Sequence, residues 1–310
     1  NGVFAYTDMG QNDTLIPWTI NDAIANPSVY GAFPALASLP RNTAEAKVHG
    51  VNGMVNLTSR PNRVVGLTAR YRFNDHRNLT PAFDAREYVR FDAVPEETGS
   101  FTQNFNIRQN TFDTTASFNL RPSSTFRLGY TYDDFNRTGR AFSDMHDYIV
   151  RASYDQMGNQ WVTLRFSVDH TTRVGSGFSE ASLEDGGLQP GLRFYDEADR
   201  NRNRGTALVV LTPASFMDVT FTATAGKDIY KGEGHEFGLL NNTNRSLNVG
   251  LNVSPGEHAS FGFSVGREMF NSLQRSRHAS PAGADYGSWT DPNRTWDLTN
   301  DEQVNILDVY

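Results

Sequence analysis

The chain has 310 residues, 38% of them hydrophobic and 20% charged, with a formal net charge of −7 and no cysteine. An acidic balance without a basic block argues against nucleic acid as a partner, and the missing cysteine excludes disulfides, thiolate metal sites and CxxCH haem attachment within these residues. Mean hydropathy is −0.53 and no run approaches the ~18 apolar residues of a membrane helix, so a helical membrane protein is excluded.

The chain opens Asn1-Gly2-Val3, with neither an initiator Met nor a basic-then-apolar leader. We expect an internal segment of a longer protein in preference to a chain whose signal has been removed. Five strand pairs then follow, each alternating apolar and polar residues. The first runs Val51, Gly53, Val55, Leu57, turns through Arg60-Pro61-Asn62, and returns as Val65, Leu67, Ala69, Tyr71, Phe73. The second pairs Phe112–Leu120 with Phe126–Tyr132 across Arg121-Pro122-Ser123-Ser124. Tyr148–Tyr154 and Val162–Val168 form the third, around a turn near Met157-Gly158-Asn159. In the fourth, Ala207–Leu211 and Met217–Ala225 flank Pro213-Ala214-Ser215. The fifth joins Leu247–Val253 to Ala259–Val265 through Ser254-Pro255-Gly256-Glu257. Gly, Pro, Asn and Ser supply the turns, as backbone sterics require.

Period-two alternation sets one face of each strand against something apolar and the other against water. About ten residues per strand is the length a tilted strand needs to cross a bilayer. The tight turns alternate with long connections near 8–44, 74–110, 171–203 and 270–301, the asymmetry of outer-membrane barrels with short periplasmic turns and extended external loops. Segment 86–93 reads as a further strand or a loop hairpin, and Val304–Tyr310 as a half-built strand. The prediction is an all-β, antiparallel, up-and-down transmembrane barrel in the bacterial outer membrane. Residues 1–310 would form one β-barrel domain, part of a larger barrel. The competing reading is a soluble β-sandwich or solenoid, which has the same two-faced strands.

Few motifs suggest chemistry. Asp199, Asn201 and Asn203 imitate a calcium loop, but Gly205 comes one place late and Val210 stands where the bidentate Glu belongs. Asp133-Asp134, with Arg137 and Arg140, could be an acid/base pair or a strand end entering a charged loop. The seven histidines lack metal-binding spacing. No nucleophile elbow, phosphate loop or HExxH is present, so no enzyme activity, intrinsic cofactor or metal is expected.

The polar clusters carry a family likeness. Tyr71-Arg72-Phe73-Asn74-Asp75, Arg86 to Asp92, Leu128 through Phe142 and the Pro190–Gly205 run resemble the MtrB/PioB family of outer-membrane barrels over most of residues 45–270. The resemblance implies a large barrel, longer than 310 residues, sheathing a periplasmic multihaem c-type cytochrome in an electron conduit across the outer membrane. An outer-surface cytochrome is a second candidate partner. Some relatives carry a cysteine pair near the N-terminus, which this chain lacks. On this reading Arg70, Arg72, Arg127, Arg151, Asp155, Arg165 and Asp169 point inward, either meeting that partner or only solvating a lumen. The alternative function is a diffusive porin or substrate-specific channel.

Overall fold

The computed structural model describes residues 1–16, 41–83, 88–90, 94–96, 102–157, 161–179, 189–232, 235–256, 258–279 and 289–310. No α-helix occurs among them. Twelve strands form one antiparallel meander, each hydrogen-bonded to the next. In chain order these are β1 (Gly2–Gln11), β2 (Ala46–Ser59), β3 (Val65–Asn78), β6 (Ile107–Arg121), β7 (Ser124–Arg137) and β8 (Phe142–Gln156), then β9 (Val162–Phe178), β11 (Asp199–Ala214), β12 (Met217–Lys231), β13 (Phe237–Gly256), β14 (Ala259–Arg277) and β15 (Thr295–Val309). A two-residue strand, β10 (Leu192–Arg193), adds to β13 in parallel. Segment 86–93 belongs to a separate hairpin of β4 (Tyr88–Arg90) and β5 (Val94–Glu96), with 86–87 and 91–93 outside the described residues. The sheet is open, with β1 and β15 at its edges.

All five sequence-read pairs are present, and both end strands are fuller than the alternation indicates. Thr295–Val309 is one strand because Trp296 and Leu298 extend it behind a run of polar residues, Asn300 to Gln303. The meander strands after β1, of 14 to 20 residues each, outrun the apolar alternation, because their loop-side ends are polar on both faces and hold together through the backbone ladder.

Conventional packing is inverted. The apolar face is the exposed one: Leu57 is 65% exposed, Leu128 45%, Val168 59% and Val265 48%. The opposite face contains buried Thr111, Thr131, Asp147, Thr171, Arg200 and Asp228. A water-soluble sandwich buries its apolar face, so this arrangement requires an apolar solvent outside.

The strand register locates that solvent. On the apolar face, moving toward the long loops, each strand reaches a first charged, His or Asn side chain. Tyr6 gives way to Asp8, Val51 to His49, Phe73 to Asp75, Phe112 to Asn110, Tyr132 to Asp134 and Tyr148 to His146. Further along, Val168 gives way to His170, Gly205 to Asn203, Ala225 to Lys227, Leu247 to Arg245, Val265 to Arg267 and Leu307 to Asn305. Carried across the register, this boundary stays level or descends toward the short turns at every step and never rises. The descent is about twelve residues over eleven steps, or ~3.6 Å for each ~4.8 Å strand spacing. A planar interface cut by strands tilted ~37° produces this staircase, and membrane barrels tilt by ~35–45°.

Candidate functional site: the polar face and the strap across it

Strand parity places all seven sequence-selected residues on the polar face. Arg70 faces Asn56 and Asp113 in register, and Arg72 faces Met54 and Thr111. Arg127, Arg151, Asp155, Arg165 and Asp169 follow on β7, β8 and β9. Four of them are already joined to other side chains. Asp155 accepts from Arg127 and, at 2.8 Å, from Arg165 Nε. Arg151 reaches Asp113 at 2.6 Å. Among the described residues, Arg70, Arg72 and Asp169 have no ion-pair partner, and both arginines are exposed.

Two suggested pairings dissolve. Asp133 and Asp134 project to opposite faces: Asp133 accepts from Gln109 Nε2 and Thr111, whereas Asp134 lies 3.0 Å from His146 Nδ1. They share no site. Asp199, Asn201 and Asn203 are alternate residues of β11, not a loop; Asp199 accepts the Gly175 amide and Asn203 meets His170. Among the described residues no cluster suited to a metal ion occurs.

The sequence reading missed a belt of charge below the long loops. Asp147 on β8 takes two hydrogen bonds from Arg173 on β9, at 2.7 and 2.9 Å. Arg200 on β11 stands 3.9 Å from the same carboxylate. Arg202, two residues on, is bidentate to Asp228 on β12 at 2.7 Å. Two carboxylates thus serve three guanidiniums across four strands. The density of Arg and Asp in 193–204 signalled it, but pairing them needed the register.

The second missed feature is the segment 189–198, which crosses the polar face at the loop end. At one side Gln189 Oε1 accepts from the Arg277 amide, its side chain meets Ser276, and β10 joins β13. At the other, Asp196 is held by Arg137 and Arg140, each at 3.1 Å, and its carbonyl accepts from Arg173. Between β7 and β14 the sheet has six strand steps, about 29 Å of arc. Seven residues from 189 to 196 reach about 25 Å fully extended, and turns at 189–192 and 194–198 shorten them. The anchoring side chains of Gln189, Asp196 and Arg137 complete the span, so that the strap links strands six steps apart along the sheet. The buried apolar side chains Ala141, Met145, Ala198, Tyr230 and Phe237 lie at this end.

Two titratable groups sit in the strap region. Glu197 is 1% exposed, with neither carboxylate oxygen hydrogen-bonded and Arg140 Nε 3.8 Å away. Burial pushes its pKa up, aided by Asp196; Arg140, Arg137 and the Ala141 backbone oppose this. His235, in the connection after β12, is held below the ordinary histidine value by burial and by Arg193.

An outward apolar wall, an inward polar wall and a ~37° tilt are the geometry of a membrane barrel. Residues 1–309 match the family model described as "Putative outer membrane beta-barrel porin, MtrB/PioB". The chain belongs to the MtrB/PioB family. It is an outer-membrane protein. No curated protein matches it. Among solved structures, it is similar to the siderophore receptor PirA from Pseudomonas aeruginosa, at 10% identity over 85% of this chain and 53% of that one, with a TM-score of 0.41. A Pseudomonas aeruginosa FadL homologue gives 9% identity over 99% and 73%, with a TM-score of 0.38. LpxR from Salmonella typhimurium gives 8% over 90% and 93%, with a TM-score of 0.29. This MtrB/PioB chain spans about half the length of the siderophore receptor it overlays.

Proposed function

We propose that this chain is wall material of a non-enzymatic electron conduit: its polar face lies against a periplasmic multihaem c-type cytochrome that fills the lumen. The observation that carries the reading is the state of that face. Twelve strands lie side by side without the two edges meeting, and barrels of about sixteen strands already enclose a water-filled channel. A barrel containing this arc and further strands has room for a folded protein. The wall is largely self-satisfied through its own ion pairs, so a soluble partner needs to supply few exact complements and can be held through water. Among the described residues Arg70 and Arg72 have no ion-pair partner, which leaves them as donors toward it. The haem iron and its redox chemistry would belong to that partner; the barrel would exclude lipid and fix the register.

An absorbance spectrum of the full-length protein, purified from outer membranes in mild detergent, tests this. A Soret band co-purifying in fixed stoichiometry supports the conduit. A colourless barrel from cells that make multihaem cytochromes overturns it. The porin description of the family favours a second reading, an open channel for small solutes. Stable, solute-selective conductance from the colourless barrel would establish that reading.

A further inference from the structure

The staircase boundary on the apolar face changes character along the sheet. Over β3 to β8 its charges are neutralised locally: Asp75 is bidentate with Arg77, and Asp134 pairs with His146. Over β12 to β14 the boundary residues are Lys227, Arg245 and Arg267, three cations on three adjacent strands. All three are exposed. Lys227 and Arg245 have no ion pair or hydrogen bond among the described residues, and Arg267 meets only the neutral Gln303. The nearest acids on this face by register are Asp199 on β11 and Asp301 on β15, each two outward positions beyond the residue paired with Lys227 or Arg267; Glu268 is on the polar face. A groove of about 650 Å³ opens beside Lys227 and Arg245, with Arg267 one strand further along the sheet. Val150, Ala152, Val168, Gly205 and Ala225 line it on the apolar side, with Lys227 and Arg245 at its loop-side rim. The groove exists because Ala152, Gly205 and Ala225 are small where neighbouring apolar positions hold Val, Leu or Phe.

We propose that this is a binding site for a phosphorylated lipid of the outer leaflet, with phosphate on Lys227, Arg245 and Arg267 and an acyl chain in the groove. The height follows from the staircase: these side chains stand where the wall leaves hydrocarbon on the long-loop side, at the level of lipid headgroups. Three unpaired cations facing lipid need anions to neutralise them, and headgroup phosphate supplies these at that depth. The volume lies within the ~300–1,000 Å³ of ordinary ligand sites. The inference is independent of what fills the lumen.

The test uses full-length protein in mild detergent, with lipid A, its dephosphorylated form and inorganic phosphate as probes. Bound lipid is counted by native mass spectrometry. Lipid A is expected to bind about a hundred-fold more tightly than the dephosphorylated form, from roughly fivefold for each of the three cations, and inorganic phosphate should compete weakly. K227Q/R245Q/R267Q should lose that preference while retaining heat-modifiable migration. Gly205→Leu, where an added Cβ meets nothing nearer than 3.9 Å, should reduce lipid A binding by filling the groove with charge unchanged. Equal binding of both lipid forms by the wild-type protein overturns the proposal. So does unaltered lipid A binding by both variants, and a match between inorganic phosphate and lipid A would reduce the site to a plain anion site and also reject it.

Discussion

Asp113 on β6 and Arg151 on β8 are not on neighbouring strands, yet their side chains meet at 2.6 Å across β7. Gly129 on β7 faces Arg151 in register, and the Arg151 Nε would stand 3.7 Å from a Cβ placed there. Thr131, one position on along the same face, donates to Asp113 and is itself hydrogen-bonded by Arg151. A guanidinium thus passes over a small residue of β7, close enough that a Cβ there would just touch it, and ties three strands together. Both charged groups are partly solvated, at 48% and 22% side-chain exposure, so the coupling should be about 0.5–1 kcal/mol after screening. A double-mutant cycle of Arg151→Ala and Asp113→Ala on urea unfolding should return that value at low salt and less at high salt. Strict additivity would show that the bridge contributes nothing.

The Asp147–Arg173–Arg200–Arg202–Asp228 belt should behave differently. Asp228 and Arg202 side chains are 6% and 21% exposed, and Asp228→Asn would leave Arg202 beside Arg200 and Arg173 with one carboxylate remaining. Breaking one side of a buried pair costs about 3 kcal/mol. Asp297→Asn, opposite Arg275 in a pair whose side chains are each 43% exposed, is the matched control and should cost much less. Similar losses in urea midpoint for the two would refute the burial argument.

How much of this was legible in the sequence depends on which periodicity carried it. The strands and turns were legible, because Val, Leu and Phe at every second position reveal the face without any knowledge of neighbours. Parity alone also assigned Arg70 through Asp169 to the polar face. Pairing was not legible: that Asp155 bridges Arg127 and Arg165, or that Asp133 and Asp134 part company, depends on register, and a one-residue slip would reverse every such assignment. The strap was least legible. Residues 190–198 are polar enough to read as a solvated loop, and their inward course rests on contacts with Arg137, Arg140 and Arg277 from elements far away in sequence.

The strap should respond to pH through two opposed groups. Glu197 has a raised pKa, so the folded strap binds its proton more readily than the open chain. Its stability therefore increases as pH falls through that raised value and levels off below the ordinary glutamate range. His235 has a lowered pKa, so stability is lost as pH falls below the ordinary histidine value near 6.5. Strap opening, read from exchange of the Ala198 amide that donates to the Phe194 carbonyl after the intrinsic pH dependence of exchange is divided out, should therefore carry two opposed limbs, one from each group. Glu197→Gln should remove the limb on which acid stabilises the strap. His235→Gln should remove the limb on which acid destabilises it. Variants whose corrected profiles match the wild-type one would mean that neither group is linked to the strap.

Arg70 and Arg72 separate partner contact from lumen solvation. Reversing Arg127 or Arg165 breaks a triad within the wall, so loss of a partner in those variants would be ambiguous. Arg70→Glu and Arg72→Glu disturb no ion pair among the described residues, although Arg70→Glu also faces Asp113 across the register; Arg72→Glu, opposite Met54 and Thr111, is the cleaner change. If the polar face contacts a cytochrome here, Arg72→Glu should lower the haem-to-barrel ratio after a low-salt wash and leave barrel assembly and urea midpoint unchanged. The difference from the wild-type protein should shrink at high salt, which screens the reversed charge and leaves the water-bridged contacts elsewhere on the wall. An unchanged ratio for both variants, in a barrel that does co-purify haem, would leave the conduit standing and reduce these two arginines to lumen solvation. The partner would then be held by shape and by the ends of the barrel.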